Sequence, residues 1–154
     1  MEENLLIKED TFEKARKKIN ENQNKQIIFT SDDDDLNRQV LEKLKIDVLL
    51  LNQLGRKDFQ KQRNSGLNHV LGKIAKKNKV AIGINLDEIV NFNSKNKSNI
   101  LARIKQNVKI CNKNKLQMVF VSEKSKRNIY DLKSLGLVLG MPTWMASDFV
   151  VEVN

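Results

Sequence analysis

Three runs of nearly unbroken apolar residues limit this fold most tightly: Asp47-Val-Leu-Leu-Leu51, Val80-Ala-Ile-Gly-Ile84 and Met118-Val-Phe-Val121. A strand with one wet face alternates apolar and polar side chains. A continuous run suits a strand buried on both faces, as in a parallel sheet covered by helices. The segments between the runs read as helices. Leu36, Val40, Leu41 and Leu44 recur at helical spacing within 34–45. Ile100, Leu101, Ile104, Val108 and Cys111 do the same within 98–112. Asp10-Thr-Phe-Glu13 is a capping pattern for a helix over 11–20. Gln26–Thr30 is β-prone and is expected to be the first strand. Ser65-Gly66 is expected to start a helix that buries Leu67, Val70, Leu71 and Ile74. A short helix over 86–90, a helix over 130–139 ended by Gly140 and Pro142, and a strand over 149–153 complete the series. Polar loops are expected at 52–64 and 91–98.

Alternation of strand and helix calls for right-handed crossovers and a parallel sheet with the helices outside. The chain, 154 residues long, is read as one domain, 1–154. Two closures are open, a doubly wound sheet and part of a (β/α) barrel. A full eight-unit barrel needs about 200–250 residues or more, so a barrel here is incomplete and leaves a strand edge to be covered.

Several function classes drop out on composition. Cys111 is the sole cysteine, which excludes a disulfide framework. With His69 the sole histidine, a histidine-rich metallohydrolase barrel is excluded in its usual form. No nucleophile elbow, P-loop or dinucleotide fingerprint is present. No signal-peptide pattern or membrane-length apolar run appears, so a cytoplasmic protein with no membrane partner is expected. Aromatic residues make up only 5%, so the core is expected to be aliphatic and base stacking to be secondary.

Charge is segregated along the chain. Between Phe59 and Ser122 the acids are Asp87 and Glu88 alone, against Lys61, Arg63, Lys73, Lys76, Lys77, Lys79, Lys95, Lys97, Arg103, Lys105, Lys109, Lys113 and Lys115. Most of the acids precede this stretch, among them Asp32 to Asp35. With a net charge of +9, the segregation points to a polyanion-binding surface, and nucleic acid is the first candidate.

Two stretches carry a family resemblance. The first is Arg63-Asn-Ser-Gly-Leu-Asn-His-Val-Leu-Gly-Lys-Ile-Ala-Lys-Lys-Asn78 with Val80-Ala-Ile-Gly-Ile-Asn85. The second is Leu101-Ala-Arg-Ile-Lys-Gln-Asn107, Val121-Ser-Glu, Arg127-Asn-Ile-Tyr-Asp-Leu132 and Leu137-Val-Leu-Gly-Met141. Together they resemble the ribonuclease P protein component 3 family, over roughly Leu49 to Met141. Ile129 stands where that family usually has Pro, and Gly72 where it usually has Ala. The resemblance implies an α/β, shortened and incomplete TIM-barrel-like fold, with an N-terminal portion too short for the family's first strand-helix units. It implies a non-catalytic subunit that binds ribonuclease P RNA beside a protein component 2 partner. The RNA then removes the 5′ leader from precursor tRNA, which the protein meets indirectly. No cofactor is expected on the protein, and Mg²⁺ is expected through the RNA.

Within that reading the RNA-contact candidates are cationic. Arg56, Lys57, Lys61 and Arg63 follow the strand ending at Leu51, while Lys124, Lys126 and Arg127 follow the strand ending at Val121. Loops after parallel strands meet at one end of the sheet, where sites of such folds gather. His69, Lys73, Lys77 and Arg103 complete the set. For Arg63 and Arg127, phosphate contact competes with ion pairing to Asp58 or Asp131. The Lys105, Lys109, Lys113 stripe is either a polyanion contact or a solvated helix face. Asp32 to Asp35 point in different directions on a helix start, which favours capping over a metal site. Cys111 is expected in the core, and Trp144 either on the core or against a partner. Two alternatives remain: a stand-alone TIM-like hydrolase using Asp58, Asp87, Glu88 and Glu123, and a general basic nucleic-acid-binding module.

Overall fold

A computed structural model describes residues 3–91, 93–146 and 150–153. Six parallel strands pair in chain order, β1 (Asn4–Lys8), β2 (Gln26–Thr30), β3 (Val48–Leu50), β4 (Ala81–Asn85), β5 (Met118–Ser122) and β6 (Val150–Glu152). Sequential order with every crossover of one hand curls a sheet toward a barrel rather than a doubly wound sandwich, so of the two closures left open the barrel is the one formed. The register runs Asn4↔Gln26, Ile28↔Val48, Val48↔Ala81, Ile82↔Met118 and Phe120↔Val150. No ladder joins β1 to β6 among the described residues, but the Asn4 side-chain amide donates to the Glu152 carbonyl at 2.9 Å. The start of β1 therefore meets the end of β6, the stagger that tilted strands accumulate around a barrel. The ring is nearly closed, and one side-chain bond spans the expected open edge.

Helices α1 (Phe12–Glu21), α2 (Asp34–Lys43), α3 (His69–Asn78), α4 (Leu86–Asn91), α5 (Ser94–Lys113) and α6 (Ile129–Val138) surround the strands. Ile27, Ile28, Phe29, Leu49, Ile82 and Phe120 are almost wholly buried. The core is largely aliphatic, as composition requires. Cys111 lies in it, with burial pushing its thiol up to about 12.

The structure corrects several expectations. β1 exists, so Gln26–Thr30 is the second strand and the N-terminal portion does hold a first strand-helix unit. Only Ile7 of β1 is fully buried, which explains its faint signal. α3 begins at His69 rather than Ser65, because Asn68 caps it by accepting from the Leu71 N–H at 2.9 Å. That start leaves Val70 outward, 56% exposed, while Leu67 is buried in the preceding loop. α5 starts four residues early, at Ser94, since Asn93 caps it through the Asn96 N–H at 3.2 Å. Phe149 of the expected last strand lies outside the described residues, whereas Val150–Glu152 form β6. α6 keeps Tyr130, Leu137 and Val138 exposed.

Candidate nucleic-acid interface

Because strand order equals chain order, blocks of charge along the sequence become sectors around the barrel. At the end where the strands terminate, the sector over β1 and β2 carries Glu9, Asp10 and Asp32 to Asp34. Lys18 pairs with Glu9, and Lys8 with Asp32 at 3.3 Å. Asp33 caps α2 through the Asp35 N–H. The sector over β3 to β5 carries the basic loops 51–68 and 123–128.

Two of the expected RNA-contact arginines turn inward. The Arg56 guanidinium donates to both Asp34 carboxylate oxygens at 2.8 and 2.9 Å and to the Asn52 carbonyl at 2.6 Å. Gly66 makes room for it: with φ at +77 to +79 in this loop's glycines, a Cβ on Gly66 would lie 2.6 Å from the Arg56 fork. Arg103, on α5, is 5% exposed and donates to Asp58 at 2.9 Å, the Gln53 carbonyl at 3.0 Å and the Arg56 carbonyl at 2.8 Å. A planar fork with several partners suits such a clamp. The donors of Arg56 and Arg103 are thus engaged within the protein, unlike those of the loop cations that project outward. Asp34 is likewise an ion-pair partner as well as a first-turn acid.

Asp58 is the hub of this loop. It accepts from Arg103, from the Asn64 N–H at 2.9 Å and from Arg63 at 3.4 Å. The Arg103 hydrogen bond, then that of Asn64, hold its carboxyl below the usual value. Gln106 of α5 ties the loop further, donating to the Arg63 carbonyl at 3.0 Å and to Ser65 Oγ at 3.1 Å.

Adjacent acids at the start of α4 hold the two basic loops. Glu88 accepts from the backbone N–H of Gln53 at 2.8 Å and Leu54 at 3.2 Å. Burial pushes its carboxyl up, against those two donors and the charges of Arg56 and Arg103. Asp87 accepts from the N–H of Glu123 at 2.9 Å and of Ser125 at 2.8 Å. Burial pushes the Asp87 carboxyl up, but the donors from Glu123, Ser125 and Lys124 outweigh it and leave it below the usual value. One carboxylate thus fixes the loop after β3 and its neighbour fixes the loop after β5. This role was missed in the sequence, although two acids placed directly after β4, alone in a long basic stretch, were its signal.

The remaining candidates project outward. Lys57, Lys61, Lys124, Lys126 and Arg127 are exposed on the two loops, and Arg63 is exposed despite its long contact to Asp58. Lys126 lies 3.7 Å from Glu152 with most of its side chain in solvent. Arg127 reaches the carbonyl of Lys126 at 3.4 Å. His69, Lys73 and Lys77 are exposed on α3, with His69 Nδ1 3.2 Å from the Asn114 amide. Lys105, Lys109 and Lys113 are exposed on α5. The loop residues share the rim, while the helix residues extend the basic surface down the outer wall. Among the described residues no three His, Cys, Asp or Glu side chains come together to hold a metal, and no helix is long and apolar enough to cross a membrane.

Residues 5–153 match the family model described as RNase P subunit p30. A ribonuclease P protein component 3 of Methanococcus maripaludis is 30% identical over 132 residues, covering 86% of this chain and 53% of that protein. The same component of Methanocaldococcus jannaschii is 28% identical over 136 residues, covering 84% and 56%. The chain spans about half the length of the curated relatives it matches. A chain in the cryo-EM structure of archaeal ribonuclease P with mature tRNA superposes with a TM-score of 0.77 at 26% identity, over 92% of this chain and 62% of that one.

Proposed function

The chain belongs to the RNase P subunit p30 family, and from that premise we propose that it is a protein subunit of ribonuclease P. It binds and stabilises the catalytic RNA, together with a partner protein of the component 2 family, for removal of the 5′ leader from precursor tRNA. The RNA carries the chemistry and holds the Mg²⁺, and precursor tRNA is met through it.

One observation supports the reading above the others: Asp87 and Glu88 present two cationic loops as one preorganised rim. Lys57, Lys61, Arg63, Lys124, Lys126 and Arg127 then offer phosphate contacts without a loop-ordering cost at binding. Lysines act there as point charges, and Arg63 and Arg127 offer forks to phosphate oxygens. Contacts of this kind read backbone and shape, which suits a folded RNA.

The hydrolase alternative loses its acid/base groups to this scaffold. Asp58, Asp87 and Glu88 accept from backbone N–H groups, and Asp58 also from Arg63 and Arg103, while Glu123 and Asp58 are exposed and Glu88 is buried. The test is reconstitution of precursor-tRNA cleavage from the RNA and its proteins at low Mg²⁺. Omitting this chain should depress cleavage. Unchanged cleavage overturns the proposal, as does cleavage by the protein with no RNA subunit.

A further inference from the structure

The opposite end of the barrel carries a second basic feature that the rim does not use. An open cavity of about 840 Å³ lies where β2 to β5 begin, a size within the range of about 300–1,000 Å³ typical of ligand sites. Lys76, Lys79, Lys115, Gln117, Asp47 and Trp144 are among its lining residues. The Asp47 carboxylate accepts from the Ile27 N–H at 2.7 Å, and three lysines against this one carboxylate leave the cavity with a net positive charge.

Two of these lysines hold unusual backbone positions. Lys79 and Lys115 both have φ 56, and they are the non-glycine residues with positive φ among the described residues. Each ends a helix in the turn that normally selects glycine: Val80 N–H reaches the Ala75 carbonyl at 2.9 Å, and Leu116 N–H reaches Cys111 at 2.8 Å. A lysine anywhere in the last turn would complement the helix dipole. That advantage does not require the left-handed residue itself to be lysine, where a Cβ is disfavoured. Their coincidence in one cavity is the pattern of strain kept for a site.

The aromatic wall is also held in place. The Gln117 amide donates to the Met145 carbonyl at 2.6 Å, fixing the turn that carries Trp144. The Lys115 ammonium lies 5.9 Å from the indole centroid. Lys76 donates to the Lys115 carbonyl at 2.9 Å, tying the ends of α3 and α5 together. The indole, 40% exposed, lies in the same cavity as the three lysines.

We propose that this cavity is a nucleotide-binding site, in which a base stacks on Trp144 and its phosphate is held by Lys79 and Lys115. A free nucleotide and an unpaired nucleotide of an RNA strand share this chemistry. The rim residues take no part in it.

Trp144 is the sole tryptophan, so its emission reads the site directly. The full chain is titrated with AMP, inorganic phosphate, a short single-stranded oligoadenylate, the same strand made abasic, and polyglutamate. AMP or the oligoadenylate should quench saturably, and the abasic strand and phosphate should bind more weakly. Quenching by the strand alone assigns the nucleotide to RNA, and quenching by AMP as well assigns a free nucleotide. The Lys79→Gly/Lys115→Gly variant relieves the left-handed strain, so its melting temperature should hold or rise while affinity falls about a hundredfold, the loss of two charge-assisted contacts at about tenfold each. Equal binding by the glycine variant or by the abasic strand overturns the proposal. So does a response to polyglutamate without one to nucleotides, which would assign the cavity to an acidic protein. Arg127→Ala must leave the quench unchanged, which separates failure here from failure of the rim.

Discussion

Replacing Arg103 with methionine separates a fold residue from an RNA contact. The side chain is 5% exposed and donates to the Gln53 and Arg56 carbonyls as well as to Asp58. Methionine keeps most of the apolar stem but has no donor. The Gln53 residue is buried, so its carbonyl loses a partner that water does not readily replace. At about 1–3 kcal/mol for a buried acceptor left unsatisfied, and less for the partly buried Arg56 carbonyl, the loss is about 3 kcal/mol. For a chain of this length that corresponds to about 6–12 °C in melting temperature. Arg103→Lys should fall between wild type and methionine, since one ammonium replaces a fork with three partners. Differential scanning fluorimetry and RNA binding at several salt concentrations, run on the same samples, decide the matter. The expected result is a large thermal loss with a salt slope unchanged for the protein that remains folded. Wild-type melting with lost RNA affinity would refute the argument and return Arg103 to the interface.

The rim makes the opposite prediction. Arg127→Ala should lower RNA affinity and reconstituted cleavage without lowering the melting temperature, and should reduce the salt slope by about one unit; a large thermal loss would assign Arg127 to the fold. For Glu88, the raised carboxyl means that the folded state holds its proton more tightly than the unfolded chain. Its contribution to stability therefore falls as pH rises above the ordinary 4.5 and returns on acidification. Wild type should gain on Glu88→Gln as pH drops from neutral toward 4.5 in urea titrations, and a constant difference would contradict the assigned burial. Asp58 and Asp87, whose carboxyls are lowered, act the other way: their contributions are present above the ordinary 3.8 and are lost as pH falls through the lowered values. Cys111, buried with its thiol pushed up to about 12, should resist alkylation in the native chain and react after unfolding. Rapid native labelling would show that α5 opens locally.

Much of the fold was legible because burial leaves a periodic trace. The runs at β3, β4 and β5 and the stripe of α5 announced a parallel sheet with outer helices, and the two motif stretches announced the family. Elements whose burial is slight left no such trace. β1 has one fully buried side chain, and the ends of α3 and α5 depend on the Asn68 and Asn93 caps, which a pattern of apolar spacing does not report. The site was legible as a sum of charge and as two loops, but not as individual roles. Arg56 and Arg103 look in the sequence like Arg63 and Arg127.

The residue order alone determined that this chain builds parallel strands and outer helices, that its charge divides into acidic and basic blocks, and that its core is largely aliphatic. Each is a property of local composition and spacing, which the chain carries wherever it folds. Tertiary structure alone decided which cations face solvent. That choice depends on partners distant in sequence, Asp34 for Arg56 and Asp58 for Arg103, brought within hydrogen-bond reach only when β2, β3 and β4 pair side by side. Closure also turned linear charge blocks into sectors, and let two neighbouring carboxylates on α4 hold two loops at one rim.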